Sequence, residues 1–89
     1  MVGSVRLECA GKLRRTRGNL NLLLGAPRKA IDDYTKAIQL NENDGKAYYD
    51  RGIAFLTIYD KISACEDLKN SEKRGYKKAK EVGSYFCSW

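Results

Sequence analysis

The chain contains no histidine. Mechanisms that use imidazole as base, proton shuttle or metal ligand are therefore excluded, including the common serine and cysteine nucleophile systems. A single proline and eight glycines are too few turn residues for an all-β sandwich. The three cysteines, Cys9, Cys65 and Cys87, form no C-x-x-C pair. Without histidine they supply no zinc set. So few cysteines, and an odd number, do not build a disulfide scaffold; thiols in a reducing compartment are the simpler expectation. No apolar run approaches the length needed to span a bilayer. Residues 1–10 include Arg6 and Glu8 and lack an apolar core, so they do not read as a signal peptide. A cytoplasmic location and no membrane partner are the resulting expectations.

What is present fits one small folded unit. The 89 residues are 43% hydrophobic and 31% charged, with a net charge of +6. That balance excludes wholesale disorder and a collagen-like fibre. The main signal is internal repetition. At an offset of 34 residues, Gly11 falls on Gly45, Lys12 on Lys46, Arg17 on Arg51, Gly18 on Gly52, Ala30 on Ala64 and Asp33 on Asp67. Within one period, Tyr48, Phe55 and Ile58 share one side of a helix with Gly52 between them. A mid-helix glycine costs about 1 kcal/mol against alanine, so its repetition implies close approach by a neighbouring helix. Ile62, Cys65 and Leu68 mark a second helix, after a turn at Tyr59 and Asp60. One period earlier the same pattern predicts helices over 11–24 and 27–40. Gly25 closes the former and Pro27 opens the latter.

These residues resemble the tetratricopeptide repeat family, whose unit is a 34-residue helical hairpin. In the second repeat Tyr48, Gly52, Phe55, Ala64, Leu68 and Ser71 fill the family's aromatic, glycine, aromatic, alanine, bulky and small positions. Gly18, Ala30, Tyr34 and Ala37 do so in the first. Arg14 and Asn21 stand where aromatics are expected, and Arg17 and Arg51 where leucine is usual. The resemblance implies an all-α superhelix of about five helices. Its parts are an extension over 1–10, repeats over 11–44 and 45–78, and a capping helix over 79–89. It also implies that Cys65 and Cys87 lie on neighbouring helices within reach of a bridge, although packed thiols are the favoured state.

No catalytic set emerges, and no cofactor or metal is expected. Asp32-Asp33 and Glu66-Asp67 are neighbours along a helix, pointing about 100° apart, and read as a solvated outer face. A reactive Cys9 near Arg6 is weaker than an inert one. The implied activity is non-catalytic binding of a protein or peptide in a groove lined by the first helices of successive repeats. The candidate residues are Lys12, Arg15, Asn19, Lys46, Tyr49, Asp50, Ile53 and Lys80. Their basic groups suit an acidic or C-terminal segment, with Ile53 and Leu56 for an apolar side chain. Arg15, Asn19 and Lys80 match a carboxylate-gripping pattern known in the family. Asp50 and Ser84 depart from it, and an anionic Asp50 would repel a carboxylate. Two alternatives remain open. Leu20, Leu23 and Leu24 could mark the self-associating end of a longer superhelix. The run Lys12 to Arg17 could meet nucleic-acid phosphates, but no aromatics are interleaved with it.

Overall fold

The computed structural model describes the backbone of residues 2–87 and the side chains of 11–87. It is all-α: α1 Val2–Leu23, α2 Pro27–Leu40, α3 Gly45–Thr57, α4 Lys61–Lys73 and α5 Lys77–Cys87. The packing pairs are α1 with α2 and α3 with α4, with α3 also on α2 and α5 on α4. Two helical hairpins and a terminal helix thus form a short stack. No helix among the described residues is long and apolar enough to cross a membrane. The boundaries of α2 are those the sequence predicts, and α4 begins directly after the turn expected at Tyr59 and Asp60. α1 starts at Val2 rather than near position 11. The Cys9 side chain and the end of the expected capping helix at 88–89 lie outside the described residues.

Local chemistry sets the ends. Asp44 and Asp60 cap α3 and α4, their Oδ1 atoms accepting from the N–H groups of Ala47 (3.2 Å) and Ser63 (3.1 Å). Three helices close in the same way. The N–H groups of Ala26, Asp60 and Tyr76 donate to the carbonyls of Asn21, Phe55 and Ser71, five residues back. That closure needs a left-handed residue just before the donor. Gly25 (φ 78°) and Gly75 (φ 88°) supply it, and Tyr59 (φ 63°) does so against its steric preference.

The period of the sequence is a period of packing. A Cβ on Gly18 would lie 2.6 Å from Cε1 of Tyr34, and one on Gly52 would lie 3.2 Å from Cγ of Leu68. Both glycines therefore let the second helix of their hairpin approach closely, and Tyr34 and Leu68 are 34 residues apart and fully buried. Ser71 Oγ donates to the Gly45 carbonyl at 2.6 Å, a bond made where the helices meet. The core consists largely of small side chains: Ala30, Tyr34 and Ala54 in one cluster, Ala37, Ile38 and Ala47 in another. On α3 the buried positions are Gly45, Ala47, Gly52 and Ala54. Tyr48, Phe55 and Ile58 flank them half-buried, so the stripe read from the sequence is the edge of the packing face and not its centre.

Two expectations are corrected. Asp33 and Asp67 are not on a solvated face; they are 4% and 3% exposed. Asp67 takes a two-pronged contact from Arg51, Nε to Oδ2 and Nη2 to Oδ1, each 2.8 Å. Asp33 accepts from Asn21 Nδ2 at 2.7 Å and lies 3.7 Å from Arg17 Nε. Arg17, Arg51 and Asn21 thus serve buried carboxylates. Arg51 also lies 5.6 Å and 6.0 Å from the ring centroids of Tyr48 and Phe55. Second, Cys65 and Cys87 are not thiols but a disulfide, with their Cα atoms 5.7 Å apart. The bridge joins α4 to α5 and removes the ground on which a reducing compartment was expected.

Candidate functional site

The candidate residues distribute over α1, α3 and α5. Toward the N-terminal end of α3, Arg15, Asn19, Lys46 and Asp50 come together, with two groups not foreseen in the sequence, Tyr34 and Asp44. Arg15 Nη1 donates to Asp44 Oδ2 at 2.6 Å. Asp44 thus caps α3 with one oxygen and holds Arg15 with the other. The Tyr34 hydroxyl donates to Asn19 Oδ1, which leaves the asparagine NH2 group available as a donor. Lys12 and Lys46 are exposed. Lys12 and Arg15 line a hollow of about 400 Å³ with Asn41, Asn43 and Asp44.

Asp50 is the anomaly of the site. Its Oδ2 is buried without a hydrogen-bond partner. Burial pushes its carboxyl from 3.8 up to about 6, opposed by Lys46 and Arg15 and reinforced by Asp44. Burial likewise raises the Tyr34 phenol, with Asp50 and Asp33 adding to it and Arg15 opposing. An uncompensated carboxylate beside a lysine and an arginine is suited to a donor arriving from outside, and unsuited to a second carboxylate.

Farther along α3 the surface turns apolar. The Tyr49 ring packs on Tyr76, centroids 4.9 Å apart. Tyr49 lines a hollow of about 440 Å³ with Lys78, Glu81, Val82, Tyr85 and Phe86. Ile53 lines the next, about 600 Å³ and almost wholly apolar, with Leu56, Thr57, Tyr59, Lys61 and Phe86. Phe86 borders both hollows. Lys80 is set apart from them: it lines a separate hollow with Glu72, Gly75, Tyr76 and Lys77. Sequence reasoning missed Phe86 as a wall because its approach to α3 residues from α5 has no local signature, and missed Tyr59 because it reads as a turn residue. It missed Asp44 because a turn aspartate reads first as a helix cap. Among the described residues no group of three metal-ligating side chains converges. No protein-family model matches the chain, and no curated protein is significantly similar to it.

Proposed function

We propose that the chain is a non-catalytic protein-interaction module of the tetratricopeptide kind. In this reading it holds a segment that is acidic at one end and apolar at the other along α1, α3 and α5. The observation that carries the reading is that α3 presents two unlike surfaces. Lys46 and Arg15 act on the charge of Asp50, and Arg15 lines a hollow with Lys12, whereas Tyr49 lines one hollow with residues of α5 and Ile53 and Leu56 line another with Phe86. The resemblance of the repeats to the family adds a motive, since stacked hairpins offer an extended binding surface. Arg15 has N–H groups beyond the one bonded to Asp44, and these with Lys12 and Lys46 would meet the acidic end.

The test uses labelled peptides with acidic residues and one large apolar side chain, read by fluorescence anisotropy. Lys46→Glu and Tyr49→Ala are expected to weaken binding, whereas Lys36→Glu is not. Lys36 lies on α2, beside Asp32 at 3.5 Å. Lys46 is preferred to Arg15 for the reversal, because Arg15→Glu would also break the contact with Asp44. Asp50→Asn should tighten a peptide with a free C-terminal carboxylate and leave its amidated form unchanged. Equal binding of both peptides to both proteins would remove the carboxylate from the reading. Indifference to Lys46→Glu and Tyr49→Ala would remove the groove.

A further inference from the structure

The first helix leaves one face uncovered, and the chain's own period indicates what fits there. Leu13, Leu20 and Leu24 recur at spacings of seven and four residues and form one stripe. They are 70%, 55% and 79% exposed. The Leu24 N–H donates to the Leu20 carbonyl at 2.9 Å, which holds Leu24 in helical register. The stripe lies opposite Gly11 and Gly18, which are buried toward α2. One period on, the positions of Leu13 and Leu20 are Ala47 and Ala54, both fully buried. Those alanines pack on Ala37 and Ile38 and on Ala30 and Tyr34, all of α2. The counterpart of Arg17 is Arg51, whose Nη1 donates to Thr35 Oγ1 on α2 at 3.2 Å. In α3 this face is therefore covered by a preceding helix. In α1 the same positions carry leucine and meet solvent, and the Arg17 side chain is 68% exposed.

We infer that this face of α1 docks an acidic amphipathic helix of a partner protein. A helix is indicated because a helix covers the equivalent face one period later. Small apolar residues on that helix would receive the leucines, which are larger than the alanines they replace. A hydroxyl or carboxylate would stand opposite Arg17, as Thr35 does for Arg51. Acidic flanks follow from charge: Lys12 and Arg14 stand on either side of the stripe and Arg17 within it, and residues 11–24 hold no acidic side chain. The same charge disfavours a second copy, because two α1 faces would bring like charges together. Among the described residues no helix of the α2 kind is open: α2 is covered by α3, and α4 by α5, which the disulfide holds in place.

The probe is a labelled synthetic helix of about 20 residues, long enough to fold on contact. It carries alanine and leucine along one stripe and glutamate on both flanks. A control peptide has lysine in place of every glutamate. The protein is expected to bind the glutamate peptide and not the lysine peptide. The double variant Leu13→Ser, Leu20→Ser should weaken binding by about tenfold or more, with its far-ultraviolet spectrum unchanged. Lys46→Glu, on the other candidate surface, should leave it unaltered, so this test and that of the groove can fail independently. Equal binding of the two peptides, absence of binding, or indifference to the double variant would overturn the inference. So would sedimentation showing a wild-type dimer that the double variant dissolves, since the occupant would then be a second copy.

Discussion

Gly18 and Gly52 occupy the same place in their hairpins, yet alanine should act differently at each. Removing a mid-helix glycine favours the helix by about 1 kcal/mol. Against this stands overpacking, which costs about 1–3 kcal/mol. At Gly18 the added methyl would meet three ring atoms of fully buried Tyr34 at 2.6–3.0 Å, and the ring has nowhere to move. At Gly52 the nearest atoms are 3.2–3.3 Å away and two belong to the Leu68 side chain. Gly18→Ala should therefore lower stability by about 1–2 kcal/mol, while Gly52→Ala stays near neutral, as read from urea midpoints. Asp50 makes a second comparison. Its folded pKa lies above its unfolded one, so the native state binds more protons between pH 3.8 and about 6. Stability falls as pH rises through that window, and the loss is complete above it. Because Asp50 is only half-buried, the shift is discounted for solvent screening to roughly 1–2 kcal/mol. Asp50→Asn should thus gain on the wild type between pH 4 and 7 in thermal melts, and show little difference at the acid end.

Between hairpins, the repeated arginine–aspartate pair differs in depth. Arg51→Leu strands Asp67, 3% exposed and held by both prongs of the guanidinium, and should cost about 3–5 kcal/mol. Arg17→Leu removes a side chain that is mostly in solvent and 3.7 Å from Asp33, which keeps its bond to Asn21. Its cost should stay below about 1 kcal/mol in the same denaturation assay. The turn after α3 carries its own penalty. Tyr59 takes the left-handed conformation that Gly25 takes one period earlier. Tyr59→Gly should stabilise by a net amount of about 0.5–1 kcal/mol, the relieved strain less the freedom glycine adds to the unfolded chain. It should also weaken any ligand of the Ile53 hollow, because Tyr59 forms part of its wall. These elements explain what the sequence made legible. Pro27, Gly25 and Asp60 fixed helix ends because caps and breakers act within a few residues. Met1 to Ala10 contain no such signal, and the start of α1 was misplaced. Buried Asp33 and Asp67 were misread because exposed charge is the general expectation, although arginine recurs 16 residues before each. The grouping of Arg15, Asn19, Lys46 and Asp50 was implied by the resemblance, while helical spacing set only which residues share a face within one helix. Asp44 and Phe86 reach their sites from distant chain segments, which spacing cannot show.

At the scale of the molecule, the stack has two unlike ends. In a linear array each unit is supported chiefly by its neighbours, so cooperativity runs along one direction. At one end, α1 rests on α2 and only lightly on α3. At the other, the covalent link from Cys65 to Cys87 closes the last two helices into a loop. Such a link restricts the unfolded chain and is worth about 2–4 kcal/mol. Opening should therefore be vectorial. The array unzips from α1 toward α5, with the bridge acting as a doorstop at the far end. Native-state hydrogen exchange should show opening free energies that climb from the first hairpin to the second. Cys87→Ser should flatten or invert that gradient, so that the same chain then peels from both ends.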